Sequence, residues 1–211
     1  MYQIHGLSIS SNTTKTVYVA EALGIDYDYV SMDFRKGEHK TPEHFARHPL
    51  GKLPTLTHDE KTLFESNTIC TYLASMENSS LYPSEEIYYR ATIDQWLAFF
   101  TNHLGRWLNS YAFEKMLKVK FSLGEPNKDA EQEAFQFIQQ QLPCINDQLK
   151  QHKYLTGQNI SIADYVAFAY FEIAEMANLS LSDFPETSSW YHELKTSDVI
   201  ALAHKKLGKT S

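Results

Sequence analysis

Apolar and polar positions along the chain follow two different rhythms. In the first part, short alternating runs are interleaved with helical ones. YQIHG, residues 2–6, reads as a short strand, and from Thr16 the run TVYVAEALG reads as an apolar helix that Gly24 closes. YDYVSM, residues 27–32, alternates aromatic and β-branched residues with polar ones, as strands do. Pro42 opens a short helical piece, PEHFARH, and Pro49 cuts it off. LPTLTHDEKTLFE predicts two strands around the turn His58-Asp59-Glu60-Lys61. SNTICTYLASM is a helix, because Ile69, Tyr72, Leu73 and Met76 recur three and four residues apart. The order is βαβαββα. A helix between two strands predicts a parallel crossover, and the closing hairpin adds an antiparallel edge.

The polar stretch ENSSLYPSEE separates this part from a second one with no convincing strands. Three long helical runs follow: YRATIDQWLAFFTNHLGRWLNSYAFEKML, then DAEQEAFQFIQQQLPCINDQLKQH, then SIADYVAFAYFEIAEMA, with shorter pieces to the end. The division expected is an α/β domain over residues 1–76, a linker over 77–84 and an all-helical domain over 85–211.

Composition narrows the classes. With 43% of 211 residues hydrophobic, the chain has enough apolar surface for one large or two small cores. No secretory leader opens it and no apolar run approaches a membrane span, so a soluble, cytosolic protein is expected. Cys70 and Cys144 are far apart, which leaves neither a disulfide framework nor a CxxC redox pair; the sequons at Asn12, Asn78, Asn159 and Asn178 are then expected to go unused. Nineteen basic against twenty-six acidic side chains give a formal charge of −7, which argues against nucleic acid as the main partner. Arg35, Lys36, His39 and Lys40 nevertheless sit together, as an anion site or as a solvated loop.

The candidate chemistry lies at the two ends of the predicted hairpin. A cis Leu53-Pro54 peptide would turn the N–H and C=O of Leu53 outward, where an extended peptide docks as an added strand. At the other end Ser66 begins a helix, whose free N–H groups suit a carboxylate, or it simply caps that helix. Glu65 beside it suits an ammonium group. A ligand with a peptide middle and an amino-acid head satisfies both ends, and glutathione is such a ligand.

GEHKTPEHF, HPLGKLPTL, LFESNTICTYLA and, farther on, ISIADYVAF resemble, in order and spacing, the glutathione S-transferase superfamily, and most closely its serine-type phi-like and bacterial classes. The resemblance covers nearly the whole chain. It implies a thioredoxin-like N-terminal domain, an all-helical C-terminal domain, a homodimer and a role in detoxification. It further implies that Leu53, ahead of a cis Pro54, pairs with the cysteinyl unit of glutathione. Glu65 and Ser66 would hold the γ-glutamyl head, while His39, Lys40 and Lys52 would face the glycine carboxylate and ligand backbone. Glutathione is then a co-substrate; no cofactor, metal, nucleic acid or membrane partner is expected.

Members of this family activate the thiol from the stretch between the first strand and helix, here GLSISSNTTK. One register puts Ser10 on the catalytic serine and Asn12 on an accompanying Asn; anchoring on TKTV makes Ser11 the alternative, and capping of the first helix is a third use for these hydroxyls. No Cys occurs there, which argues against thiol-type relatives. Lowering a thiol from pKa ~8.5 by about two requires ~2.7 kcal/mol of preference for thiolate. A hydrogen bond to the charged sulfur supplies roughly 1.5 to 3 kcal/mol, and a helix N-terminus adds about 0.3 to 1 kcal/mol. A serine hydroxyl therefore suffices without a general base.

Three other patterns read as structural or secondary. His44 and His48 are four apart, but no HExxH accompanies them and Pro49 ends their helix. Trp96, Phe100, His103, Trp107 and Tyr111 form an aromatic helical stripe; most of it reads as core, with His103, Trp107 and Tyr111 as candidate walls of an apolar substrate pocket. In SIADY, Ser161 and Asp164 stand in capping-box positions. The expected function is transfer of glutathione to small hydrophobic electrophiles, or peroxide reduction by the same thiolate. The alternative is a non-catalytic scaffold resembling the gamma subunit of elongation factor 1B.

Overall fold

The computed structural model describes residues 1–209, so the last two residues of the expected helical domain lie outside them. Four strands, β1 (Tyr2–Gly6), β2 (Tyr27–Ser31), β3 (Thr55–His58) and β4 (Lys61–Phe64), form one mixed sheet in the order β2-β1-β3-β4. β1 runs parallel to β2 across helix α1 (Ser11–Leu23) and antiparallel to β3, which forms a hairpin with β4. Helices α2 (Pro42–Arg47) and α3 (Ser66–Met76) complete the predicted βαβαββα order. Ile4 and Leu56, paired across β1 and β3, are fully buried and centre the sheet's core with Val17, Ile69 and Leu73. This is the fold class expected.

α1 starts earlier than its apolar run. Ser11, Thr13, Thr14 and Lys15 are all buried in its first turns. The two threonines are bonded locally: the Thr13 hydroxyl accepts from the Leu7 N–H at 3.1 Å, and the Thr14 hydroxyl donates to the Ser11 carbonyl at 3.4 Å. Apolar periodicity does not register that kind of burial. At the other end Gly24 takes the left-handed C-cap conformation, as expected.

Contacts divide the chain into two compact units, Met1–Glu85 with the segment from Thr196 onward, and Glu86–Lys195. The final helix, α10 (Asp198–Lys206), is thus part of the first unit, whereas the sequence analysis assigned it to the helical domain. Its amphipathic pattern needs an apolar partner but does not say which; α10 packs on α1, where Tyr18 Oη lies 3.2 Å from His204 Nε2.

The second unit is all helical: α4 (Ile87–Asn102), α5 (Leu104–Ala112), a π-helical turn at Phe113–Leu117, the short α6 (Lys118–Lys120), α7 (Lys128–Gln151), α8 (Ile162–Met176) and α9 (Pro185–Lys195). The first long helical run is interrupted at His103, whose φ of −121° and ψ of −107° leave the helical region. α8 is the unit's centre, buried from Ile162 to Ala174. The capping box is present at its start. The buried Asp164 carboxylate accepts from the Ser161 N–H and hydroxyl at 3.0 and 3.1 Å, from the Leu155 N–H at 3.0 Å and from Trp190 Nε1 at 3.1 Å. Burial pushes this carboxyl's pKa up, against the pull of those donors.

Candidate active site

Between β1 and α1 the chain has little freedom. A Cβ on Gly6 would meet the Thr13 side chain at 2.2 Å, so the end of β1 lies directly against the first turn of α1. The Leu7 N–H bonds to Thr13 Oγ1, and the Ser10 N–H donates to the Leu7 carbonyl at 2.9 Å. These bonds hold Ser10 as the N-cap residue of α1, where its carbonyl accepts from Thr13 and Thr14 N–H groups. Its side chain makes no capping hydrogen bond. Ser10 lines a cavity of about 530 Å³. Ser11, one position on, is 3% exposed inside the fold and is not part of that wall.

His39, Lys40, Gly51, Lys52 and Leu53 line the same cavity. The Leu53-Pro54 peptide is cis, and the N–H and C=O of Leu53 have no hydrogen-bond partner among the described residues. Gly51 has a φ of +60°, and a Cβ there would stand 2.7 Å from the His39 carbonyl oxygen. Only glycine lets the 51–53 segment lie so close to the 3-10 turn Glu38–Lys40. His39 is buried and stacked on Phe34, ring centroids 3.9 Å apart and planes 2° from parallel. Burial, then the charge of Lys40 and nearby His44, lowers its pKa. Near neutral pH His39 is therefore an uncharged donor beside the exposed ammonium groups of Lys40 and Lys52.

Glu65 and Ser66 lie outside this wall; the Ser66 hydroxyl donates at 3.5 Å to Oδ1 of Asn12, two residues after Ser10 in the chain. Ser66 opens α3 and is 8% exposed, while Glu65, its N-cap, has a φ of +68° and no side-chain cap bond. A non-glycine residue in that region carries strain of order 1 to 3 kcal/mol. Glu65 is exposed.

Of the three pocket candidates in the helical unit, Tyr111 is buried beside Phe135, and Lys115 lies over its ring, so it serves packing. Trp107 is half-buried, stacked on Phe137 at 4.3 Å with the Arg106 guanidinium 4.9 Å from its centroid; His103 is exposed. Trp96 and Phe100 are core, as expected. No group of three or more His, Cys, Asp or Glu suited to a metal occurs among the described residues, and no helix among them is long and apolar enough to cross a membrane. Sequence reasoning passed over Phe34, Gly51 and the Asn12–Ser66 link. Only Gly51, inside HPLGKLP, carried a local signal.

Known families match both parts of the chain: the glutathione S-transferase N-terminal domain over residues 3–75 and the C-terminal domain over residues 93–198. The chain belongs to the glutathione S-transferase family. It is 30% identical to a probable glutathione S-transferase, GSTF2, of Oryza sativa subsp. japonica, over 91% of this chain and 90% of that protein. It is also 30% identical to elongation factor 1-gamma 3 of the same plant, over 89% of this chain but 45% of that one. Among solved structures, glutathione S-transferase-I bound with lactoylglutathione superposes with a TM-score of 0.89 at 25% identity, over 97% of this chain and 99% of that one. The expected phi-like membership thus holds for this glutathione S-transferase.

Proposed function

We propose that this glutathione S-transferase binds glutathione along the cavity wall and transfers it, as thiolate, to small hydrophobic electrophiles. The observation that carries this reading is Ser10, whose side chain does not cap α1 and which lines the same cavity as Leu53. The Leu53 backbone pairs with the cysteinyl unit. Glu65 and Ser66 take the γ-glutamyl ammonium and carboxylate, and His39, Lys40 and Lys52 take the glycine carboxylate. Ser10 donates its hydroxyl hydrogen to sulfur, Asn12 fixes the adjoining turn, and the positive end of α1 adds to the preference for thiolate. The thiolate then attacks an electrophilic carbon: a C–S bond forms and the leaving group departs with its electron pair. With a hydroperoxide the same thiolate attacks an oxygen, the O–O bond breaks to release the alcohol and leave glutathione sulfenic acid, and a second glutathione converts that to the disulfide with loss of water. A cytoplasmic homodimer in detoxification completes the reading.

The likeness to elongation factor 1-gamma 3 favours a second reading, a non-catalytic scaffold. Retention on immobilised glutathione, followed by turnover assays with chloronitrobenzene, isothiocyanate and hydroperoxide substrates, separates the two. A transferase is retained and turns over at least one class; passage through the column without turnover would leave the scaffold.

A further inference from the structure

His44 is fully buried in α2, and only one of its ring nitrogens is used. Nε2 lies 2.9 Å from the backbone carbonyl oxygen of Lys52, while Nδ1 has no partner among the described residues. A carbonyl oxygen only accepts, so Nε2 is the donor in this bond, and Nδ1 is buried and unused. An aliphatic side chain would fill the same space without stranding a polar atom. What the imidazole adds is the bond to Lys52, eight residues along the chain and next to Leu53.

The backbone around His44 makes that bond a rigid one. The Thr41 side chain caps α2 by accepting from the His44 N–H at 3.3 Å, and the His44 carbonyl accepts from the His48 N–H at 2.9 Å. His48 Nδ1 in turn accepts from the Leu50 N–H at 3.1 Å, and the His48 carbonyl from the Gly51 N–H at 2.9 Å. Residues 48–51 are thus tied to the end of α2, and His44 ties down the next residue. Leu53 itself has no hydrogen bond to hold it among the described residues.

We propose that His44 is a positioning residue for glutathione binding: through Nε2 and the Lys52 carbonyl it fixes the peptide that presents the Leu53 N–H and C=O to the ligand. This rests on the glutathione-binding reading given above. His44 touches no reacting atom, so its loss should appear in the affinity for glutathione and not in the chemical step.

The test uses three substitutions in the full chain. Gln places an amide nitrogen as many bonds from Cα as Nε2, Asn reaches only as far as Nδ1, and Leu has no donor. His44→Leu and His44→Asn should raise the glutathione Kd and KM by about fivefold, the scale of one neutral hydrogen bond. kcat at saturating glutathione should stay within about twofold, and His44→Gln should recover most of the affinity. Amide hydrogen exchange without ligand should quicken at residues 50–53 in the Leu and Asn variants and not in the Gln variant. Unchanged affinity in His44→Leu, a fall in kcat at constant KM, or a Gln variant as weak as Leu would each overturn the proposal. If the wild-type chain fails to bind glutathione, the functional reading fails, and the ligand-free exchange still decides whether His44 holds the segment.

Discussion

Ser10→Ala removes one hydroxyl from a helix start that does not use it. N-cap serines generally contribute about 0.5 to 2 kcal/mol through a side-chain bond to the first turn. Ser10 makes no such bond, so the variant should lose less than about 0.5 kcal/mol and melt within roughly 2 °C of the parent. The thiol is another matter. A hydrogen bond to a charged sulfur is worth roughly 1.5 to 3 kcal/mol, enough with the helix terminus to bring bound glutathione from pKa ~8.5 to about 6.5. Without the hydroxyl, the terminus alone leaves it near about 8. At about pH 6.5 the thiolate fraction then falls from about one half to about 3%, and turnover by about fifteenfold. Because both forms are ionised above about pH 9, the deficit should close there. Glutathione affinity should survive, since in the proposed binding mode Leu53, Glu65 and Ser66 would hold other parts of the ligand. The assay is ultraviolet thiolate absorbance against pH at saturating glutathione, with parallel turnover profiles for Ser10→Ala, Ser11→Ala and Asn12→Ala. If Ser11→Ala moves the titration and Ser10→Ala does not, the buried hydroxyl is the active one and the cavity argument is wrong. If none of the three moves it, these side chains have no part in activation and the scaffold becomes the better reading.

Asp164→Ala strands three buried donors, the N–H groups of Leu155 and Ser161 and Trp190 Nε1. At about 1 to 3 kcal/mol each the loss should reach roughly 3 to 9 kcal/mol, well beyond a simple cap; a normal melting curve with abolished turnover would contradict the structural role. Glu65→Ala and Ser66→Ala should each weaken glutathione binding at least several-fold by calorimetry, because each strands a charged ligand group. Glu65→Gly should bind equally poorly yet gain about 1 kcal/mol in urea denaturation by relieving the backbone at φ +68°, and a loss of stability there would refute the strain assignment. His5 is buried, and burial, then Arg47 and His44, lowers its pKa to about 4. Its neutral form is favoured in the fold, so its contribution is complete above the ordinary value near 6.5 and is lost as pH falls from there toward about 4, at a cost of up to about 3 kcal/mol. His5→Leu should flatten that part of the stability profile, and an unchanged slope would assign the acid loss to other groups.

Short-range information carried a large part of this protein. The period-two runs at residues 2–6 and 55–64, the helical spacing of Ile69, Tyr72 and Leu73, and the Pro and Gly punctuation fixed the βαβαββα order, because each element buries an apolar stripe recorded in its own residues. The Ser161–Asp164 box was equally legible, since a cap is a four-residue interaction. Tertiary structure alone decided what depends on polar burial or on partners distant in sequence. Whether Ser10 or Ser11 faces the cavity turned on where α1 begins, and that start is set by Thr13 bonding back to Leu7 beneath a close approach at Gly6. The attachment of α10 to α1, the stacking of Phe34 on His39 and the bond from His44 to Lys52 join residues whose spacing follows no helical or strand period. A periodic pattern shows that a face must be covered; which residues cover it, and which polar atoms are left facing the cavity, is settled only when the whole chain has packed.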